Sequence, residues 1–375
     1  MKKRIGIDAR EIQYGVITGI GRSLINLIKY FETYDSENEL VLFSEAPIPI
    51  SLKKNIRRTE KPFGGPTIIW DQIVLPVLIK KANVDLLYSP YYKAPLFTST
   101  PVVTQVLDLM YLVFKPYRKE LGILGRLYYN TIGRAFSIRA VNVITDSEHA
   151  KNDIVRLWKI KPSKIQVFPL GCADRYKPVK DQNQKEATRK KYDLPPNYIL
   201  YLGNFKPHKN VKIIVAAYEH LHTKFPKHGL VLAGPLDRHG RAIQNLVKKK
   251  AIADQVTFTD TIRESDRPEV IYSMADIFIC TTLYEGFGLP PLEAMACGTP
   301  VIASNTTAVP EVVGNAGVLI DPNNLAAITQ ATTELLQDSA KREAYSEAGL
   351  KRAKLFSEKR TAEMVYKHLL DKAGA

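Results

Sequence analysis

The chain has 375 residues, too many for one ordinary core, so two domains are expected. It contains no run of eighteen apolar residues, so no membrane-spanning helix is expected. Its three cysteines lack the spacing of metal ligands, and this low number fits a reducing cytoplasm. The net charge of +15 lies almost entirely in residues 1–190, where 31 lysines and arginines outnumber 18 acidic residues, and it indicates anionic partners such as nucleic acid, lipid or an acidic small molecule.

Apolar, β-rich runs alternate with helical patterns through the first half of the chain. The start, MKKRIGIDAR, lacks the apolar stretch of a signal peptide and predicts a strand over residues 4–8. Further strands are predicted at 39–44, 85–90, 101–109, 140–147 and 165–171, and helices at 22–31, 71–82, 114–139 and 149–158. This alternation is typical of a parallel sheet covered by helices on both faces.

Residues 114–139 mix lysine and arginine with aromatic and aliphatic residues at near-helical spacing. A basic amphipathic segment of this kind can rest on anionic headgroups. The pattern fits equally well a helix that packs on its own domain with a solvated basic face. Nucleic-acid binding is not expected, because no aromatic RNA-binding strand or cysteine–histidine finger accompanies the charge.

The polar stretch from Tyr176 to Asn197 contains bounding prolines and predicts the domain boundary. The alternation then restarts, with strands predicted at 198–204, 228–235, 255–262, 276–282, 300–305 and 313–321, and helices at 211–225, 241–251, 266–275, 325–338, 341–355 and 357–372. The sequence thus predicts two doubly wound α/β domains, residues 1–180 and 190–357, separated by a cleft. Ligands of such sheets bind outside the carboxyl ends of the strands.

The most informative stretch is YEGFGLPPLEAMACGTPVIAS, residues 284–304. It follows a predicted buried strand, and its two prolines suit the first turn of a helix. The backbone N–H groups of residues 286–289 would then form an anion site at the helix start, and glycines allow close approach of a phosphate. Glu285 and Glu293 flank this site and can accept hydrogen bonds from hydroxyls on either side of a diphosphate, as in a nucleotide sugar. Alternatively, Glu293 complements the helix dipole and Glu285 caps the loop.

Two further stretches carry candidate binding residues. In YLGNFKPHKN, residues 201–210, Lys206 and Lys209 stand at a strand-to-helix turn, where lysines can neutralise a leaving diphosphate; a solvated basic loop is the alternative for Lys206. Gly19 and Gly21 precede a predicted helix after the first strand, a pattern that is weak alone because it also fits a plain tight turn.

Together these stretches resemble a retaining glycosyltransferase of family 4, with the two-domain GT-B fold. The resemblance spans nearly the whole chain. Within the family, the sequence is similar to a bacterial polysaccharide mannosyltransferase subgroup. It is carried by the glutamate pair within residues 284–304, by YLGNFKPHKN and by DAR…TGIGRSLINLI. Further support comes from WDQIVLP (70–76), DLLYSPYYKAP (85–95), ITDSEHAKNDIV (144–155) and KIQVFPLGC (164–172).

The resemblance implies that the N-terminal domain binds the acceptor, that the C-terminal domain binds the donor, and that a last helix near 358–373 packs back on the N-terminal domain. It implies a catalytic set of Glu285, Lys209 and Asp108. Glu285 would contact the transferred sugar, Lys209 the diphosphate and Glu293 the ribose. The segment Thr261-Ile262-Arg263 would lie near the base. The implied donor-binding set also includes Gly19, Gly21, Gly203, Asn204, Lys206, His208, Thr261, Ile262, Gly286, Phe287, Gly288 and Leu289.

Two positions depart from the pattern of the family. Many relatives carry an arginine in the diphosphate loop where this chain has Asn204 or His208; Lys206 or His208 could substitute, but neither offers a bidentate fork. Relatives also often carry a histidine–aspartate pair where this chain has Leu107 and Asp108. That histidine usually lies at the catalytic centre, so its replacement bears on catalysis.

The sequence therefore predicts a cytoplasmic enzyme, associated with the inner face of the membrane in the lipid-binding interpretation. It would transfer a hexose from a nucleotide sugar to a glycan or lipid-linked glycan in surface polysaccharide biosynthesis. The sugar expected first is mannose, with GDP-mannose as its donor. No cofactor or metal is expected, since no convincing carboxylate pair for a metal occurs. Two alternatives remain, a silent nucleotide-sugar-binding partner subunit and a nucleotide-sugar epimerase of similar fold.

Overall fold

The computed structural model describes residues 2–12, 19–50, 52 and 55–374, without the side chains of residues 118–121, 124 and 128. Contacts divide the chain into two compact units. The first unit runs to Gly171 and resumes at Glu358, whereas the second is the continuous segment Cys172–Ser357.

The first unit contains a seven-stranded, fully parallel sheet in the order β3-β2-β1-β4-β5-β6-β7. Strands β1, β2 and β4 are almost wholly buried, as expected for apolar runs covered by helices on both faces. The strands are β1 Arg4–Asp8, β2 Glu39–Ser44, β3 Ile56–Glu60, β4 Leu86–Ser89, β5 Val102–Gln105, β6 Asn142–Thr145 and β7 Ile165–Val167.

Strand β3 was not predicted from the sequence. Its residues, IRRTE, are largely polar, and three of them are exposed. The strand lies at the edge of the sheet, where one side of the backbone needs no partner strand and charged side chains protect the edge from other chains. A search for buried apolar runs therefore overlooks it.

The helices of the first unit cover its sheet. They are α1 Gly19–Tyr34, α2 Thr67–Ile69, α3 Leu75–Ala82, α4 Met110–Val113, α5 Lys115–Tyr128, α6 Arg134–Arg139, α7 Glu148–Trp158 and the C-terminal helix Glu358–Gly374. Short π-helical segments, Trp70–Val74 and Tyr129–Gly133, join α2 to α3 and α5 to α6. Helix α7 begins where the Ser147 hydroxyl accepts a hydrogen bond from the Ala150 N–H at 3.1 Å.

The C-terminal helix, Glu358–Gly374, packs on α1 in the first unit. Its buried face includes Tyr366 and Leu369, and the Tyr366 ring meets Phe31 edge-on at 5.5 Å between centroids. The Thr361 hydroxyl donates to the Pro169 carbonyl at 2.7 Å. These contacts make the last helix part of the core of the first unit.

The second unit contains a six-stranded, fully parallel sheet in the order β10-β9-β8-β11-β12-β13. Its strands are β8 Asn197–Leu202, β9 His228–Ala233, β10 Val256–Phe258, β11 Ile277–Cys280, β12 Val301–Ser304 and β13 Val318–Ile320. Its helices are α8 Gln182–Tyr192, α9 Val211–Leu221, α10 Arg238–Lys248, α11 Pro268–Met274, α12 Leu289–Ala296, α13 Val309–Val313, α14 Leu325–Gln337 and α15 Ser339–Ala353. With these named, the C-terminal helix Glu358–Gly374 is α16.

The stretch predicted as the domain boundary contains a helix. Helix α8 begins after Asp181, whose carboxylate accepts hydrogen bonds from the Asn183 and Gln184 N–H groups at 2.9 and 3.2 Å. It packs on α11 of the second unit, although none of its side chains is fully buried. Its polar composition therefore resembles that of a linker, and the two units divide earlier, between Gly171 and Cys172. Across the described residues, every helix falls short of the length and apolarity that crossing a bilayer requires.

Candidate active site

The strand order of the second unit reverses between β8 and β11, which are neighbours in its sheet. Ligands of doubly wound sheets bind at such a switch point, beyond the carboxyl ends of the strands. The two stretches with the most informative sequence patterns leave β8 and β11 at this edge: residues 203–210 follow β8, and residues 281–288 follow β11.

The loop after β8 is compact. The Gly203 N–H donates to the Ala233 carbonyl at 2.9 Å, and a Cβ on Gly234 would lie only 1.9 Å from the Gly203 carbonyl oxygen. The Lys206 N–H donates to the Asn204 side chain at 3.2 Å, and a 3₁₀ turn over Pro207–Lys209 leads to Asn210 in the left-handed region. This geometry brings Gly203, Asn204, Lys206, His208 and Lys209 into one loop.

Two threonines at the end of β11 fix the relation between the loops. The fully buried Thr282 donates its hydroxyl to the His208 carbonyl at 3.1 Å, and the Leu283 N–H donates to the same carbonyl at 2.7 Å. The hydroxyl of Thr281, also fully buried, donates to the Asn210 carbonyl at 3.2 Å. The two loops are therefore held together through the backbone, independently of any ligand.

Lys209 and Glu285 form an ion pair between the two loops. Both side chains are largely buried, at 13% and 16% exposure. The Glu285 N–H also donates to the Thr307 hydroxyl at 3.1 Å, which orients the start of the glycine-bearing loop. The pair places a lysine cation and a carboxylate beside each other at the switch point.

Helix α12 begins immediately after Gly288, which has φ +116°, a conformation that side-chain-bearing residues rarely adopt. Pro290 and Pro291 lie in the first turn of the helix, as predicted. Since proline has no N–H, Leu289 is the residue of this first turn that can donate a backbone hydrogen bond to a ligand; the N–H groups of residues 286–288, also part of the expected anion site, lie in the preceding loop. Phe287 packs edge-on against Phe356, with 5.9 Å between ring centroids.

Glu293 lies on α12 with its side chain nearly buried. Its Oε2 accepts a hydrogen bond from the hydroxyl of Tyr272 on α11, at 2.9 Å. Burial and the nearby Glu293 carboxylate raise the pKa of Tyr272 well above its usual value, so the phenol stays protonated and remains a donor. Glu293 is thus held by a neutral hydroxyl, whereas Glu285 is held by a cation.

His208 is buried, and its imidazole is neutral near pH 7. Burial, with the positive charges of Lys209 and Lys206, lowers its pKa to about 3. With a neutral imidazole, His208 could take the place of the arginine of the diphosphate loop through a hydrogen bond rather than through a charge. A neutral imidazole can still offer one N–H to a ligand.

Thr261 and Ile262 follow β10 at the same edge of the second sheet. The Thr261 N–H donates to the Asp260 carboxylate at 2.6 Å, and the Gly234 N–H donates to the Asp260 carbonyl at 3.1 Å. Asp260 has φ +57° and turns the chain at this point. The predicted base-contacting segment is thereby linked to the end of β9.

The predicted site residues of the first unit described by the structure are Gly19, Gly21 and Asp108. Gly19 and Gly21 do not precede a helix but lie in the first turn of α1, so the helix predicted to begin at residue 22 begins three residues earlier. The reason is that glycine is tolerated at a helix start, where N–H groups lack intrahelical partners. The rest of that glycine motif, residues 13–18, lies outside the described residues. Asp108 accepts a hydrogen bond from the Met110 N–H at 2.9 Å, which supports the start of α4.

The sequence did not predict a role for Tyr272, for the two threonines after β11 or for Thr307. The threonine pair directly after a buried strand gave a usable signal, because strand ends deliver polar side chains to this edge of the sheet. Tyr272 gave none, since VIYSM reads as an ordinary buried helix segment. Within the described part of the chain, no cluster of three or more histidine, cysteine, aspartate or glutamate side chains is arranged to hold a metal ion.

Residues 183–352, which include both loops and α12, match the family described as Glycosyl transferases group 1. These residues form a glycosyl transferases group 1 domain. The predicted resemblance is confirmed for this part of the chain.

Among curated proteins, O-antigen chain mannosyltransferase B from Escherichia coli is 34% identical over 218 residues, which are 57% of this chain. The chain spans little more than half of that relative, 56% of its length. A second similar protein is O-antigen chain mannosyltransferase RfbU from Salmonella typhimurium, 25% identical over 67% of this chain and 65% of its own length.

Among solved structures, a glycosyltransferase from Rickettsia africae ESF-5 has a TM-score of 0.76 at 20% identity and covers 99% of this chain and 98% of its own. At this identity the likeness shows the fold alone. With its two parallel sheets, the chain has the predicted GT-B fold.

Proposed function

We propose that the protein is a retaining glycosyltransferase that moves a hexose from a nucleotide sugar to a glycan or lipid-linked glycan acceptor. The observation that carries this proposal is the Lys209–Glu285 ion pair at the switch point of the second sheet, beside the glycine-bearing start of α12. A cation suits a diphosphate, and a carboxylate suits sugar hydroxyls. The family match of residues 183–352 supports the same reading.

In the proposed complex, Lys209 and the Leu289 N–H bind the diphosphate, Glu285 binds the hexose, and Glu293 binds the ribose. Gly203, Asn204, Lys206, His208 and Gly286 to Gly288 line the donor, and Thr261 and Ile262 lie near the base. Because Lys209 already pairs with Glu285, a bound diphosphate would share the lysine with the carboxylate. The lysine therefore links the leaving group to the transferred sugar.

In the proposed reaction, the bond between the anomeric carbon and the diphosphate oxygen breaks while the acceptor hydroxyl attacks from the same face. The departing diphosphate takes the hydroxyl proton, and a glycosidic bond and a nucleoside diphosphate result. Lys209 stabilises the negative charge that develops on the leaving group. We propose that no metal is needed, since the lysine supplies the positive charge that a metal would otherwise supply.

We propose mannose as the hexose, GDP-mannose as its donor and surface polysaccharide biosynthesis as the setting. The support is the similarity to O-antigen chain mannosyltransferase B and to RfbU. A silent donor-binding subunit is a second candidate, because Leu107 stands where relatives often carry a catalytic-centre histidine.

We further propose that the protein works in the cytoplasm at the inner membrane face, through the basic segment of the first unit. Ile123, Leu127 and Ile138 of this segment are exposed, at 75%, 57% and 49%. Basic residues, including Lys115, Arg134 and Arg139, are exposed on the same segment. Exposed apolar side chains among cations suit an anionic lipid surface, which favours the membrane interpretation over a fully packed helix.

The donor site is tested by Lys209→Met and Glu285→Gln, with Lys190→Met and Glu186→Gln, at exposed positions of α8, as matched controls. We expect kcat/KM for GDP-mannose with lipid-linked mannosyl acceptors to fall roughly 10²–10³-fold for each site variant, because each removes stabilisation of charge or orientation in the transition state. The controls should keep wild-type kcat/KM. EDTA should leave the wild-type rate unchanged.

The measurements are GDP release and thermal shifts with GDP-, UDP- and ADP-sugars. Full activity in the Glu285→Gln variant would contradict the site. A thermal shift with a nucleotide sugar but no turnover on any acceptor would favour the silent subunit. Conversion of the donor sugar without an acceptor would favour an epimerase.

A further inference from the structure

Helix α11 lies beside α12 and places the phenol of Tyr272 against the carboxylate of Glu293. The hydroxyl donates to Oε2 of Glu293 at 2.9 Å, and the Tyr272 side chain is fully buried. The two residues are 21 positions apart in the chain and belong to different helices, so tertiary packing makes this contact. Because Tyr272 is fully buried, its hydroxyl can influence a bound ligand only through Glu293.

The ring of Tyr272 is fixed from several directions. It meets Phe278 of β11 edge-on at 5.5 Å between centroids, and it meets Tyr176 edge-on at 6.0 Å. The backbone carbonyl of Tyr272 accepts a hydrogen bond from the buried Thr299 hydroxyl at 2.6 Å. A tyrosine side chain has only two rotatable bonds to the ring, so these contacts leave its hydroxyl in one place.

Tyr176, which supports the Tyr272 ring, is itself held in place. The Arg175 guanidinium lies over the Tyr176 ring at 5.0 Å from the centroid, and it donates to the Tyr176 hydroxyl at 3.3 Å. Arg175 also pairs with Glu264 at 3.1 Å, directly after the segment 261–263 that is assigned to the base. Within the second unit, one series of side-chain contacts therefore joins the ribose carboxylate to the base segment.

A phenol holds a carboxylate differently from a lysine. Burial raises the pKa of Tyr272 well above its usual value, so the hydroxyl keeps its proton and donates it. A neutral donor does not offset the negative charge of Glu293, so the carboxylate remains a strong acceptor for other hydroxyls. Each carboxylate oxygen has two acceptor sites, so Oε2 can accept from Tyr272 and from a ligand together.

We propose that Tyr272 is a positioning residue, which fixes the Glu293 carboxylate in the orientation that binds the 2′- and 3′-hydroxyls of the ribose. The donor site is thereby selective for ribonucleotides. This inference rests on the proposed function, which assigns the ribose to Glu293. A glutamate that rotates freely loses side-chain freedom when it binds a ligand, at a cost in affinity. Because Tyr272 already holds the carboxylate, ligand binding avoids that cost.

The experiment measures, by titration calorimetry, the Kd of the full chain for GDP and for 2′,3′-dideoxy-GDP. The ratio of the dideoxy Kd to the ribonucleotide Kd is the ribose selectivity. UDP and ADP are measured with their dideoxy counterparts, so that the result does not depend on guanine. At least one ribonucleotide should bind the wild type about tenfold or more tightly than its dideoxy form, since hydrogen bonds from hydroxyls to a charged group are lost.

Tyr272→Phe removes the hydroxyl that holds Glu293 and leaves the ring. It should lower the ribose selectivity about fivefold or more, by weakening ribonucleotide binding, while the dideoxy Kd stays within about twofold of the wild type. Tyr218→Phe is the matched control, because Tyr218 is also fully buried in the second unit and donates to the His228 carbonyl at 2.8 Å. The control loses a comparable buried hydrogen bond and should keep the wild-type selectivity. Thermal unfolding shows whether each variant is folded.

Glu293→Ala shows whether Tyr272 acts through Glu293. This variant should lose most of the ribose selectivity, and adding Tyr272→Phe should lower it no further, because the two residues would act as a unit. A further loss in the double variant would contradict the positioning role. Equal losses of selectivity in Tyr272→Phe and Tyr218→Phe would also contradict it, since any buried hydrogen bond would then have the same effect.

The remaining outcomes separate this inference from the proposed function. If the wild type binds ribonucleotides no more tightly than their dideoxy forms, or if Tyr272→Phe keeps the wild-type selectivity, the role of Tyr272 is overturned while the nucleotide site stands. If none of the three ribonucleotides binds the wild type, the proposed function is overturned and this inference with it.

Discussion

Lys209 and His208 are neighbours in the chain, yet the fold sets their charges in opposite ways. Lys209 reaches a carboxylate and is held beside Glu285, whereas His208 is buried and faces a cationic neighbourhood. The sequence identified both as basic residues of one loop, but it could not show which of them keeps its charge. Burial decides this, and burial at a loop depends on contacts such as those of Thr282 and Leu283 with the His208 carbonyl.

The low pKa of His208 makes the second unit sensitive to acid. In the unfolded chain a histidine takes up a proton below about pH 6.5, whereas folded His208 does so only near pH 3. The unfolded state therefore binds more protons in this window, and stability present above pH 6.5 is lost as the pH falls. Between pH 7 and pH 5, the wild type should lose about 2 kcal/mol of unfolding free energy more than a His208→Gln variant.

Native-state hydrogen exchange of the β8 and β9 amides at the two pH values measures this difference. His220→Gln, at an exposed position on α9, is the matched control and should follow the wild type. Equal losses in wild type and His208→Gln would show that His208 is protonated in the folded state well above pH 3.

At the scale of elements, the junction between the glycine-bearing loop and α12 depends on Gly288. A Cβ at this position would meet nothing closer than 3.7 Å, so space permits alanine. However, the backbone φ of +116° is one that alanine rarely adopts. Gly288→Ala should therefore lower the stability of the second unit by about 1–3 kcal/mol through backbone strain alone, and it should weaken the thermal shift given by GDP-mannose.

Calorimetry with and without GDP-mannose measures both effects. Gly64→Ala serves as the control, because Gly64 also has open space around its Cβ position and does not have positive φ. If Gly288→Ala unfolds at the wild-type temperature, the loop can adopt another backbone conformation, and the strain argument fails.

The sequence predicted most of the buried strands, because short apolar runs such as RIGID and IFIC are typical of buried strands in parallel sheets. It also located the start of α12 from its two prolines. It overlooked β3, whose edge position allows polar residues, and α8, whose exposed surface resembles a linker. In the candidate site it identified the two glutamates but could not give their partners, Lys209 and Tyr272, because those contacts join segments far apart in the chain.

At the scale of the whole molecule, the first unit is built from two separate parts of the chain. Leu369 of α16 is fully buried in its core. Leu369→Ala should lower the stability of the first unit by about 2–5 kcal/mol, through lost burial and the cavity that remains. The second unit, residues 172–357, should be unaffected.

Both tryptophans, Trp70 and Trp158, are fully buried in the first unit, so urea unfolding followed by tryptophan fluorescence reports that unit. Hydrogen exchange of the β8 and β11 amides reports the stability of the second unit. Leu355→Ala, which alters an exposed leucine, is the matched control. An unchanged fluorescence midpoint in Leu369→Ala would show that α16 contributes little to the core of the first unit.

The return of α16 to the first unit has a consequence for the order in which the protein can form. Domains usually fold as they emerge from the ribosome, beginning at the N-terminus. Here the sheet of the first unit is synthesised early but lacks α16 until residues 358–374 have been made, whereas the second unit is continuous and complete by then. During synthesis, the apolar surface that Val365 and Leu369 later cover would stay open for the time needed to make some 186 intervening residues, Cys172–Ser357. The nascent first unit is therefore the part of the molecule with most to gain from a chaperone.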